Sequence, residues 1–183
     1  PAMAGAFQQR NAATAVMAGA CLPAPFRPQL ADWAASLPRV CVPGRGQRLD
    51  GPVPIWLDVA HNPQAAAELA DALEAVPVAG RTLAVWAMLA EKEAEGVARA
   101  MTGAVDQWYP CFGTGPRPVR GSEDLGRLLE ALGAPVAAEG LSVADGLDRA
   151  RRDARSELDR VVVFGSFFTV AEALEELDAG RPL

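Results

Sequence analysis

From Pro52 onward, short apolar runs of strand length alternate with segments of helical period, about five times over. That alternation restricts the fold more than any other feature, because it predicts an α/β domain with a parallel sheet wrapped by helices. Val53–Asp58 (VPIWLD) predicts the first strand. Asn62 is then an N-cap with proline at the first helical position, Pro63, and Ala66, Leu69 and Leu73 supply the buried stripe. Thr82–Met88 (TLAVWAM) is almost wholly apolar, as a strand covered on both faces requires. A helix over Glu93–Met101 and a strand over Val105–Cys111 follow. Ser122 is expected to cap a helix carrying Leu125, Leu128, Leu129 and Leu132, stopped by Gly133. A short strand at Pro135–Ala138 precedes a helix opened by Ser142, with Asp145 three residues on. Arg160–Phe164 (RVVVF) predicts the last strand. Thr169 with Glu172 opens the last helix, which ends by Gly180.

Upstream of Pro52 the pattern changes. Residues 1–21 predict a loop and then an alanine-rich helix from about Gln8 to Ala20. It has good propensity but few large apolar side chains, so it buries little by itself. Residues 22–52 are broken by prolines and glycines and read as a linker and entry loop, with one short helix near Gln29–Ser36. The expected division is therefore 1–21, 22–52 and a main domain over 53–183.

Composition narrows the function classes. A chain of 183 residues, 50% apolar and 22% charged, is long enough for its own core and is not disordered as a whole. A net charge of -6 argues against a nucleic-acid partner. No apolar run approaches the roughly 20 residues of a membrane span. Cys21, Cys41 and Cys111 are odd in number and form no CxxC pair. They favour neither a disulfide framework nor a zinc site and fit a reducing cytoplasm.

In open parallel sheets, ligands bind beyond the carboxyl ends of the strands. Three unusual pieces fall there: Asp58-Val-Ala-His61-Asn62-Pro63, Met88-Leu-Ala-Glu-Lys92-Glu93, and Gly165-Ser166. His61 and Lys92 are the chain's single histidine and single lysine. An aspartate at a strand end can accept bonds from ribose hydroxyls, and the helix start beyond it offers N–H groups to an anion. Arg45, in the glycine-bracketed PGRGQ loop, is placed to reach a phosphate. Each feature also has an ordinary reading: Asp58 as a solvated strand end, His61 as a packing residue, Lys92 as part of a solvated helix start. No GxxxxGK[ST] loop, no GxGxxG and no carboxylate cluster of metal-site spacing is present.

The order NAATA, PGRGQ, LDVAHNPQAA, AMLAEKEAEGV, WYPC…GPR and VVVFGSFFTVAEAL resembles the C-terminal part of the bacterial dihydrofolate synthase/folylpolyglutamate synthase family, within the Mur ligase superfamily. The likeness runs from about Phe7 to the end. It implies a Rossmann-like, mostly parallel sheet of the Mur ligase C-terminal type, with residues 1–21 as the last helix of a preceding ATPase domain. It also implies an excised domain, with the phosphate-binding loop and Mg2+ ligands lying in that N-terminal ATPase domain, so that the fragment alone is inactive and its parent is monomeric. In the implied reaction, ATP phosphorylates a pteroate or folate carboxylate, and the amino group of L-glutamate attacks the acyl phosphate. Asn11, Arg45 and Asp58 match ATP-contacting positions, His61 lies beside adenine or ribose, and Lys92 is the candidate catalytic residue, aiding an anionic substrate or phosphate. The partners implied are ATP, L-glutamate and dihydropteroate or folates.

Three residues depart from the family pattern: Gly46 stands after the PGR arginine, Glu91-Lys92-Glu93 replaces DKD, and Phe7 stands where a histidine is common. Two rival readings remain. A cell-wall amino-acid ligase shares the aspartate–x–alanine–histidine motif, although this chain has Gly115-Pro116-Arg117 without a preceding DN. A free-standing nucleotide-binding module would leave the NAATA helix without a purpose.

Overall fold

In the computed structural model, which describes residues 7–179, six strands form one sheet. They are β1 (Gln47–Leu49), β2 (Ile55–Asp58), β3 (Thr82–Trp86), β4 (Gln107–Phe112), β5 (Leu141–Ser142) and β6 (Arg160–Phe164). The helices are α1 (Phe7–Ala20), α2 (Leu30–Ser36), α3 (Pro63–Glu74), α4 (Ala94–Met101), α5 (Ser122–Ala131), α6 (Val143–Asp153) and α7 (Phe167–Ala179). The strand order is β1-β2-β6-β3-β4-β5, with β1 antiparallel to β2 and every other pair parallel. The α/β fold with a mostly parallel sheet is therefore as the alternation predicts.

Both faces of the central strands are covered. Trp56, Ala84, Trp86, Trp108, Val162 and Phe164 pack with α3, α4 and α5. Leu57, Leu83, Val85, Tyr109, Val161 and Val163 pack with α6 and α7. Successive strand residues point to opposite faces, so burial on both sides demands the continuous apolar runs seen in β3 and β6. Trp86, Trp108 and Phe164 form a mutually packed trio with ring centroids 5.4 to 6.1 Å apart. Each aromatic pair adds about 0.5–1.5 kcal/mol beyond its buried area. Arg160 is buried and donates to Thr82 Oγ1 and to the carbonyls of Leu73 and Val76, which closes the C-terminal end of α3.

Several local expectations are corrected. Ser122 opens α5 but does not cap it; Gly121 holds the N-cap position and the Ser122 hydroxyl accepts from Gly140 N instead. Pro135–Ala138 forms only an isolated bridge, Val136 to Trp108, because β4 pairs with β5 further along. The last helix is capped by Ser166, whose Oγ accepts from Thr169 N at 3.0 Å. Thr169 Oγ1 donates to Ala87 O, so the hydroxyl of Ser166 donates to it. β2 begins at Ile55, since Pro54 cannot donate to a ladder. Within 22–52, Gln47–Leu49 joins the sheet as its outer strand. The expected helix end at Gly180 and the Pro1 start lie outside the described residues.

α1 lies against α2 and α3. A Cβ on Gly19 would sit 2.3 Å from the Trp33 ring of α2, and Arg10 Nη2 pairs with Glu68 Oε1 of α3 at 2.6 Å. Met17, Phe26 and Leu30 stand exposed on this N-terminal segment. Among the described residues no helix is long and apolar enough to cross a membrane.

Candidate functional site

Asp58 ends β2 and joins two loops. Its Oδ2 accepts from Gly46 N and its Oδ1 from Ala60 N, each at 2.8 Å. Val59 N donates to Gly44 O at 2.8 Å, so the PGRG and DVAH segments run side by side. Gly46 takes a φ of +57°, the left-handed region that a larger side chain would resist, and this explains the glycine after Arg45. Burial pushes the Asp58 carboxyl above its ordinary value, opposed by the two backbone N–H bonds and the charge of Arg45.

His61 Nδ1 donates to Val59 O at 2.8 Å, which fixes the ring and leaves Nε2 available for another partner. Asn62 caps α3 as expected, its Oδ1 accepting from Ala65 N at 2.9 Å. The guanidinium of Arg45 lies 5.6 Å from the centre of the Phe167 ring at the start of α7. From α1, Asn11 Nδ2 donates to Gln8 Oε1 at 3.2 Å. These groups surround a cleft of about 320 Å³ lined by Gln8, Asn11, Arg45, Asp58, His61 and the first turn of α3. Four of the five candidate residues thus meet in one place. Gln8 is 2% exposed, and its Nε2 is buried without a hydrogen-bond partner among the described residues. That orphan donor carries an energetic penalty of about 1–3 kcal/mol. Gln8 was not among the sequence candidates. Its only signal is its place three residues before Asn11, on the same helix face.

Lys92 does not line this cleft. It sits on the loop between β3 and α4, half-buried, with no ion pair among the described residues. The Gly165-Ser166 turn separates that loop from Asp58. Gly165 has a φ of +119°, and a Cβ there would lie 2.2 Å from Ala87 O, so only glycine lets the turn pass so close to the β3 loop. A larger groove of about 900 Å³ lies beside β1, α6 and α7. It opens near the amino end of β2 and contains none of the candidate residues, so the smaller cleft at the carboxyl ends is the better site.

A family described as Mur ligase, glutamate ligase domain, matches residues 44–167, more than half of the chain. This chain belongs to that ligase family. Among curated relatives, the dihydrofolate synthase/folylpolyglutamate synthase of Escherichia coli strain K12 is 41% identical over 140 residues, covering 76% of this chain and 32% of the relative. The protein of the same name from Haemophilus influenzae is 38% identical over 120 residues, covering 64% and 27%. Of solved structures, E. coli FolC in complex with DHPP and ADP superposes with a TM-score of 0.80 at 37% identity, covering 95% of this chain and 40% of that one. A bifunctional folylpolyglutamate synthase/dihydrofolate synthase with Mn, AMPPNP and L-glutamate bound gives a TM-score of 0.79 at 30% identity, covering 97% and 41%. The chain spans about a third of the length of the curated relatives it matches.

Proposed function

We propose that this chain is the C-terminal domain of a cytoplasmic, ATP-dependent ligase that adds L-glutamate to dihydropteroate, to tetrahydrofolate, or to both, through an acyl phosphate. The observation that carries the reading is the single cleft formed by Asn11, Arg45, Asp58 and His61, with Gln8 in its lining. The relatives' names favour the folate branch over cell-wall ligases. ATP suits the chemistry of these groups. Arg45 offers a permanent positive charge to phosphate, and Asp58 retains lone pairs for a hydroxyl donor. The first turn of α3, where Pro63 has no N–H and Asn62 takes those of Ala65 and Ala66, offers an anion the N–H of Gln64. His61 Nε2 and the Gln8–Asn11 amide pair can meet the base or ribose. The described residues hold no group of three or more His, Cys, Asp or Glu placed to hold a metal. By the family resemblance, the Mg2+ ligands lie in an ATPase domain that would complete the cleft. The exposed Met17, Phe26 and Leu30 offer that domain an apolar surface.

Acyl-phosphate amide formation depends on positioning and charge stabilisation more than on a side-chain nucleophile. This domain's part is to hold the nucleotide while a second domain supplies the remaining contacts. Calorimetric titration of this chain with Mg-ATP tests the reading. The expected Kd is in the millimolar range, about -4 kcal/mol, because one wall of a cleft leaves much of the ligand in water. In the full-length ligase, Arg45→Ala should raise the KM for ATP by roughly ten- to a hundred-fold. Micromolar binding or phosphate release by this chain alone would overturn the claim that it holds only one wall of the site, and unchanged ATP kinetics in the variant would overturn the nucleotide assignment.

A further inference from the structure

Lys92 lies on a loop with no regular structure of its own, yet the loop is closely held by the segment that precedes α5. Arg120 N donates to Met88 O at 2.8 Å and Ala90 N donates to Pro118 O at 2.9 Å, either side of an antiparallel bridge between Leu89 and Val119. The guanidinium of Arg120 continues this clasp. Its Nη2 donates to Ala90 O at 3.1 Å and to Lys92 O at 3.2 Å. One side chain therefore ties down the carbonyls on both sides of Glu91 and fixes the backbone from which Lys92 projects. Lys92 O also accepts from Ala94 N at the start of α4, so Arg120 links the loop to the helix that follows. A second contact, the Arg117–Glu91 ion pair, joins the same two segments but is exposed. Both partners of the Arg120 side chain are backbone carbonyls and it forms no ion pair among the described residues, so what it supplies is geometry.

We propose that Arg120 is a positioning residue for Lys92, holding the 90–92 backbone so that the ammonium meets an anionic group of the substrate or the transferring phosphate. The proposal rests on the reading that Lys92 serves the ligase reaction. It makes the β4–α5 segment, which carries none of the sequence candidates, a determinant of turnover rather than of nucleotide affinity.

The test is a double-mutant cycle in the full-length ligase with Lys92→Met, Arg120→Ala and the pair, plus Arg120→Lys. Measurements are kcat, KM for ATP, KM for glutamate and Tm. Lys92→Met should lower kcat by about ten-fold, and Arg120→Ala by about five-fold, each with KM for ATP changed by less than about two-fold. The double variant should be no slower than Lys92→Met alone within about two-fold, because both changes remove the same interaction. Arg120→Lys, which keeps a donor near the two carbonyls, should recover most of the lost turnover. Should Arg120→Ala fail to fold, Arg120→Gln takes its place, keeping the stem but falling short of both carbonyls. If Lys92→Met retains full kcat, the role of Lys92 falls and the positioning role with it. If Lys92→Met is impaired while Arg120→Ala is silent or its effect simply multiplies, only the Arg120 proposal is overturned. A fall in Tm with kcat unchanged at a permissive temperature also overturns it, since that marks a structural clasp alone.

Discussion

Asp58→Asn isolates the structural work of the carboxylate at the end of β2. Asp58 accepts two backbone N–H bonds, from Gly46 and from Ala60. Hydrogen bonds to a charged acceptor contribute about 1.5–3 kcal/mol each. Asparagine keeps one oxygen but turns an N–H toward the second donor, so one bond is lost and its amide hydrogen is left unpaired. Against this, the amide avoids the burial cost that pushes the Asp58 carboxyl upward. The net loss at neutral pH should be about 1–2 kcal/mol, because charge-assisted bonds are partly offset by desolvation. A chain of this size loses about 2–4 °C of Tm per kcal/mol, which gives a fall of roughly 2–8 °C. The pH dependence gives a sharper check. Because its pKa is raised above 3.8 on folding, the folded protein holds the Asp58 proton more tightly than the unfolded chain does. Acidification through the interval from the folded value down to 3.8 therefore adds stability to the wild type that the variant lacks. Urea denaturation of both proteins at several pH values should show their stability difference widening toward acid, with other titrating groups cancelling in the difference. A variant as stable as wild type at neutral pH, or a difference that narrows on acidification, would refute the account.

Asp159 should behave in the opposite sense. Its side chain is fully buried, and although burial alone would raise its pKa, bonds from Arg155 and Arg81 hold it well below the ordinary carboxylate range. Asp159→Asn should cost about 3 kcal/mol at neutral pH, the lower end for a broken buried pair since both arginines are partly exposed. Its difference from wild type in denaturation should narrow below about pH 4, as the wild-type contribution is lost with protonation of the carboxyl. Gly165→Ala should destabilise by at least about 2 kcal/mol, through positive-φ strain plus displacement of Ala87 O. Chemical denaturation should show it to be worse than Ser166→Ala, which removes one N-cap worth about 1 kcal/mol.

The sheet, its buried strands and the Asn62 cap were legible because each rests on local signals: apolar runs, an N-cap followed by proline, glycine at a helix end. The misplaced features depended on tertiary partners. Ser122 has the chemistry of a cap, but Gly140 N competes for its hydroxyl, and no local pattern announces that. Ser166 and Thr169 are both capping residues three apart. Ala87 O, from a different strand end, decides which of them is left to accept from the helix. The outer strand β1 was hidden because Gln47–Leu49 is short and lies in a segment rich in proline and glycine.

The same logic explains why four candidates converge while Lys92 stands apart. Asp58 and Lys92 follow strands that are consecutive in the main run of the sequence, which invites placing them side by side. Strand order cannot be read from that run. β6 inserts between β2 and β3, with Phe164 paired to Asp58 on one side and Trp86 on the other. Two strand spacings of about 4.8 Å then separate the β2 and β3 ends by roughly 10 Å, with the Gly165-Ser166 turn between them. On the proposed reading, a nucleotide at Asp58 and a group met by Lys92 would be different parts of one assembly, with α7 beginning at the boundary between them. That separation suits a ligase in which one end of the cleft holds the nucleotide while bond formation proceeds further along the same strand ends.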